Sequence, residues 1–184
     1  MVLQEVHLVR ELLIIITGGI DMEKYLNILH YFIYEAYYSL HLFSNKLNPF
    51  RLIHRLPFQR RRYEKLGIDI EQEINKAFGD KENGLSIIVS GGAIVGIVFF
   101  LILALVILLK QLLNIDLTLE INHFVFIAIL SIIPCYFSVF KNDRYLEHFK
   151  EYKKWSKTEK KKYRWISFGL IVVVFIFFIG SLML

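Results

Sequence analysis

Three long uncharged runs dominate the second half of the chain, and a mixed polar and aromatic half precedes them. Residues 85–109, LSIIVSGGAIVGIVFFLILALVILL, carry no charge over 25 positions. At about 1.5 Å per residue that run exceeds a hydrocarbon core of about 30 Å, so it is long enough to span with some tilt. Residues 121–140 and 166–184 are likewise free of formal charge. Three such helices could not all be covered by the rest of a 184-residue chain. The pattern therefore predicts an all-α integral membrane protein with three transmembrane helices over 85–109, 121–140 and 166–184. A helical N-terminal region over 1–84 precedes them.

That region reads as four pieces. Residues 1–21 make a poor signal peptide, because the apolar stretch Leu12–Ile16 is short and flanked by Glu11. Gly18-Gly19-Ile20-Asp21 just ahead of Met22 has the coding capacity of a purine-rich ribosome-binding site, which makes Met22 the expected start. Residues 23–47 carry apolar positions at three-and-four spacing (Leu26, Leu29, Ile33, Leu40, Leu47) and five tyrosines. This predicts an amphipathic helix on the inner leaflet or against the basic loop described below. The rival is a fourth span over 25–43, with the N-terminus then outside. Asn27, His30, Glu35 and His41 make that costly unless they face a bundle.

Residues 49–65 interleave cations with Phe50, Leu52, Ile53, Leu56 and Phe58. Such interleaving suits a membrane surface first and a protein partner second, and nucleic acid is unlikely. In residues 67–84, Asp69 is placed to cap a short helix with Glu71 and Glu73 in its first turn and Gly79 as its stop. Ile70, Ile74, Ala77 and Phe78 give that helix a small apolar face. Its alternating acids lack the glycine and terminal Glu of a calcium loop.

Charge then sets topology. Net charge is +5, and residues 141–165 hold ten Lys/Arg against four Asp/Glu. The connector 111–120 has Asp116 and Glu120 and no Lys or Arg. Basic short loops face the cytoplasm, so the expected N-terminus is inside and the C-terminus outside the cell (inner) membrane. Lys110 snorkels at the outer end of span one, and Trp155, Tyr163 and Trp165 form an interfacial belt. Asn142 or Asp143 is expected to cap a helix running to about Trp155, with Tyr145, Phe149 and Tyr152 on one face. Ser156 and Glu159 match a capping box that opens a helix continuous with span three.

Within the spans, Ser90, Gly91, Gly92, Ala93 and Gly96 cluster, with Gly92 and Gly96 in GxxxG spacing that favours close helix packing. Pro134 predicts a kink in span two, with Ser131 and Ser138 near the freed backbone groups. Cys135, the single cysteine, is expected to pack and can form no internal disulfide.

Candidate chemistry is thin. There is no phosphate-binding loop, HExxH or G-x-S-x-G, no cofactor motif, and no Cys/His metal spacing. The Arg51/His54 and Arg144/His148 pairs read as solvated surface. His123, with Asn122 and Asp116, is the one outer-side cluster that a lipid-acting enzyme could use. The expectation is a non-enzymatic accessory or interaction subunit of a membrane-associated system, of the kind that serves secretion, immunity or defence. Its basic cytoplasmic surface (Arg51, Arg55, Arg60, Arg61, Arg62, Lys153, Lys154, Lys160, Lys161, Lys162) would meet anionic lipid headgroups or a protein partner. The alternative is a homo-oligomeric pore or membrane-disrupting effector packed through the glycine face of span one.

Overall fold

A computed structural model describes residues 22–48, 56–114 and 118–183, and all regular structure there is helical. The elements are α1 (Met22–Leu47), α2 (Pro57–Leu66), α3 (Ile70–Gly79), α4 (Leu85–Leu112), α5 (Ile121–Cys135), α6 (Arg144–Lys153) and α7 (Lys157–Met183). Residues 1–21, including the Gly18-Gly19 patch on which the Met22 start rests, lie outside the described residues. α4, α7 and the segment beginning at Ile121 are long and apolar enough to cross a membrane, and α1 is not among them. Span one and span three extend as helix beyond their uncharged runs, to Leu112 and back to Lys157.

α4 and α7 run parallel. The residues α7 buries are Ser167, Val174 and Ser181, seven apart. A seven-residue repeat keeps one narrow seam of a helix facing its partner with a slight left-handed wrap, and serine there lets the backbones approach. At the far end of the seam Gln111 Nε2 donates to the Ser181 carbonyl at 3.1 Å. α5 runs back the other way. Ile127 packs with Leu103 and Ile107 near that far end. Phe140 lies against Gly91 near the other, where a Cβ on Gly91 would come within 3.2 Å of the ring.

Pro134 lies inside the helix of span two. α5 ends at Cys135, and Tyr136–Phe140 continues as a π turn. Proline lacks the N–H that would serve the Leu130 carbonyl four residues back. Ser131 Oγ donates to the Ile127 carbonyl at 2.7 Å. The Ser138 carbonyl is taken instead by the Asn27 Nδ2 of α1, at 2.9 Å.

α1 is the keystone. Of its two expected positions, on a leaflet or against the basic loop, it takes the second, and it also packs on α4 and α7. It buries Asn27 through Phe32 and then Tyr34, nearly two turns covered all round. Ile28 and Tyr31 join Ile87 and Ile94 of α4, Cys135 and Val139 of span two, and Phe149 and Tyr152 of α6 in one core. Leu29 reaches deeper, to Ile97 and Val174.

Two of the three expected caps are made and the third is not. Asp69 Oδ1 accepts from the Gln72 N–H at 3.1 Å, and α3 ends at Gly79. The Ser156 N–H and Oγ both donate to Glu159 Oε2, at 2.9 and 2.7 Å, and the Glu159 N–H returns a bond to Ser156 Oγ at 3.2 Å. Those bonds hold the Glu159 carboxyl below its usual pKa. The expected cap at Asn142 or Asp143 is not made. Both sit in left-handed backbone (φ 58° and 52°), and the Asp143 side chain makes no cap hydrogen bond to α6. The chain must turn sharply from the π turn into α6. Asn and Asp are the non-glycine residues that tolerate that backbone, so conformation, not capping, explains them here.

Candidate interaction face

The lysine-rich end is assembled by α1. Phe149 of α6 is fully buried among His30, Tyr31, Tyr34 and Tyr145, with ring centroids 5.1–5.7 Å apart. This fixes α6 against α1 and leaves Lys150, Lys153 and Lys154 exposed beside that contact. Trp155 packs between Tyr152 and Tyr163 at 4.4 and 4.5 Å, joining the end of α6 to the start of α7.

The α3–α4 turn delivers a further lysine. Asp80 Oδ1 accepts from the Glu82 N–H at 2.9 Å, and the Asp80 carbonyl accepts from the Gly84 N–H at 3.2 Å. A Cβ on Gly84 would sit 2.3 Å from that carbonyl, so the turn needs glycine. Held this way, Lys81 lies 5.9 Å from the centre of the Phe149 ring. It joins Leu146, Lys150, Lys153 and Lys154 around a cleft of about 570 Å³. Burial lowers the Lys81 pKa first, and the charges of Lys153 and Lys150 lower it further, against an opposing pull from Glu35.

The expected basic surface is thus only partly gathered. Lys153 and Lys154 line the cleft, whereas Lys161 and Lys162 are exposed on α7. Lys160 Nζ donates to the Lys153 carbonyl at 2.9 Å. Arg60 pairs with Glu64 at 2.8 Å, both largely exposed, and Arg61 and Arg62 are exposed on α2, which buries no residue. Arg51 and Arg55 lie outside the described residues. Lys81 and Lys150 were not among the expected site residues. Lys81 sits in an acidic stretch of sequence, and only the folded turn carries it to α6.

Beneath this face lies a buried polar seam. Asn27, His30, Ser86 and Ser90 are fully buried. Asn27 Nδ2 also donates to the Glu23 carbonyl at 2.8 Å, and Ser90 Oγ to the Ile87 carbonyl at 3.0 Å. Asn27 Oδ1, both His30 ring nitrogens and Ser86 Oγ find no protein partner. The Ile87 backbone lies near enough to His30 to favour its protonation slightly, but completes no hydrogen bond. Burial dominates and drives the His30 pKa from 6.5 to about 4, so the ring is neutral at ordinary pH. At the edge of this layer Glu23 meets Arg144 at 3.1 Å and His148 at 3.6 Å.

The small residues of α4 divide by face. Ser90 and Gly91 are buried. Ala93 is half-buried, Gly92 is exposed, and a Cβ on Gly92 or Gly96 would meet nothing within 4 Å. Gly92 lines an open apolar cleft with Ile88, Val95, Ile132 and Phe140. At the far end, His123 Nδ1 accepts from the Glu120 N–H at 3.1 Å, which gives it a capping role on α5. Asn122 is exposed beside it, and Asp116 lies outside the described residues. Among the described residues no three His, Cys, Asp or Glu side chains stand together in a way that could hold a metal ion. No family model, curated protein or solved structure matches the chain.

Proposed function

We propose that this is a multi-span protein of the cell membrane, with its α1/α6 end on the cytoplasmic side and the end of α7 outside. It acts without catalysis, as an interaction subunit that presents a basic face to anionic lipid headgroups or a partner protein. One observation carries the reading. α1 and α6 lock together through the Phe149 cluster, so the lysines of α6 and the start of α7 are displayed on a built platform and not on a slack loop. A platform that concentrates like charge costs stability through repulsion, and contact with an anionic surface offsets that cost.

Two measurements test it. With cysteines placed at Lys161 and at Leu182 in a Cys135→Ser background, an impermeant reagent should label only Leu182→Cys on intact cells and Lys161→Cys only after permeabilisation. Native mass in nanodiscs should show a monomer or dimer that retains anionic lipid. Replacing Lys153, Lys154, Lys161 and Lys162 by Gln should release that lipid.

A second reading, a homo-oligomeric pore, is favoured by the unfilled surface at Gly92 and Gly96 on α4. Assemblies of four or more copies that Gly92→Leu breaks down, with loss of membrane depolarisation in cells, would support it. Since a side chain at Gly92 meets nothing within the chain, the same substitution should leave the monomer's stability unchanged.

A further inference from the structure

We infer that the cleft between the α3–α4 turn and α6 is a binding site for a multiply charged phosphate group, held by Lys81, Lys150, Lys153 and Lys154. This deepens the basic-face reading and rests on it.

The argument begins with what the lysines lack. Among the described residues, none of the four has a carboxylate within ion-pair distance. Glu35 acts on Lys81 from α1, one negative charge against the two positive ones of Lys153 and Lys150. Two of the four have an ordinary explanation. Lys150 and Lys153 stand in the last turn of α6, where cations complement the carbonyl end of the helix. That does not account for Lys81. It comes from another element, is half-buried, and is held toward α6 by a turn that tolerates only glycine at position 84. Burying an ammonium beside like charges is unfavourable unless an anion shares the space. The cleft is also of ligand size, within the range of roughly 300–1,000 Å³ usual for small-molecule sites, and Leu146 gives it an apolar wall.

Height then narrows the ligand. Lys157, just past the cleft lysines, begins α7 nine residues before Ile166, where the uncharged run starts. At about 1.5 Å per residue this sets Lys157 roughly 13 Å beyond the apolar zone, whereas Lys81, four residues before the uncharged run that starts at Leu85, stands much nearer to it, so the cleft lies at headgroup height. The fit is to phosphate carried clear of the hydrocarbon, as vicinal or terminal phosphates. These are present both in soluble phosphorylated compounds and in lipid headgroups that end in a phosphomonoester.

The experiment uses the full chain in zwitterionic phosphatidylcholine nanodiscs. Inorganic pyrophosphate is titrated as the soluble probe, and phosphatidic acid is incorporated as the lipid-borne one. Two charge-matched variants are compared, Lys81→Gln with Lys153→Gln and Lys161→Gln with Lys162→Gln. Each lysine facing the anion should contribute several-fold, so the first pair should lose roughly tenfold or more in affinity and the second little. That pattern with pyrophosphate supports a soluble source, and with phosphatidic acid alone a lipid source. Equal losses from both pairs would overturn the cleft and leave a diffuse basic face. Absence of binding to either probe would overturn the cleft and the lipid half of the basic-face reading together. Thermal unfolding of each variant, with Lys150→Gln and Lys154→Gln as a second cleft pair, separates loss of the site from loss of the fold.

Discussion

At the end of the bundle where α1 docks, buried side chains from four elements meet, and the contacts are aromatic, polar and close. At the far end the apolar cluster among the described residues shrinks to Leu103, Ile107 and Ile127, beside the Gln111–Ser181 hydrogen bond across α4 and α7. Between them the spans leave large apolar side chains such as Leu105, Phe126, Ile129, Val173 and Ile176 exposed. A soluble protein would not tolerate so continuous an apolar surface. The two regions solve different problems. The α1 end specifies the arrangement by its own packing. The far end has less internal packing and leaves its large apolar side chains on the surface.

The largest test of that contrast is truncation of a single ring at each end. Phe149→Ala removes a fully buried phenylalanine that touches four rings, so it should cost about 3–5 kcal/mol and release α1. Limited proteolysis between α1 and α3 would report the release. Phe126→Ala, on a side chain 66% exposed, should change unfolding by well under 1 kcal/mol in lipid. Comparable effects from the two would mean that packing is not concentrated around α1.

The next test uses pH. His30 is fully buried and faces Phe140, Tyr145 and Phe149. Its folded pKa of about 4 lies below the 6.5 of an exposed histidine. The unfolded chain therefore binds a proton first as pH falls. The stability contribution is complete above about pH 6.5 and is lost progressively toward pH 4, by roughly 3 kcal/mol in total. Trp155 sits in the ring stack between α6 and α7, and its fluorescence in a Trp165→Phe background would follow the loss. His30→Phe should flatten the profile over that window. A profile unchanged by His30→Phe would show that another group sets the acid limit.

How much of this was legible beforehand follows the same division. The spans were legible because an uncharged run needs no tertiary information to be recognised. The Ser156–Glu159 box and the Asp69 cap were legible because each is closed within four residues. The role of α1 was not. Periodicity reports one buried stripe, and α1 buries consecutive residues from Asn27 to Phe32 because neighbours surround it. The three-and-four pattern caught Leu29, but could not mark Asn27 or His30 as core. Their partners lie on segments far away in sequence, as with Asn27 and Ser138. Lys81 was hidden for the same reason. Four lysines that converge from two elements have no common spacing. The glycine pattern showed Gly92 and Gly96 at close-packing spacing, but it carries no information on whether the partner is the same chain.

A smaller effect is expected at Asn27. Its Nδ2 bonds two carbonyls, Glu23 within α1 and Ser138 in the π turn. Asn27→Leu keeps the branching of the side chain and removes both bonds, leaving the Ser138 carbonyl without its Asn27 partner. The cost should be about 1–3 kcal/mol. Hydrogen exchange should rise in Tyr136–Phe140 and stay unchanged at the α4–α7 seam. Exchange that rises in both would show that the two ends are coupled more tightly than their contacts indicate.

The smallest effect belongs to the clasp of Glu23 with Arg144 and His148, and it is the most informative about what holds α1. The Arg144 and Glu23 side chains are 43% and 40% exposed, so water and salt screen their attraction. Glu23→Gln should cost no more than about 1 kcal/mol, and that cost should vanish at high salt. The aromatic cluster around Phe149, by contrast, is buried and insensitive to salt. If Glu23→Gln released α1 to protease as fully as Phe149→Ala does, the helix would be held by charge at its edge. A small, salt-dependent loss places the hold in the buried rings. It would also mean that the basic end keeps its shape while the ionic strength around it changes, which a platform for binding anions requires.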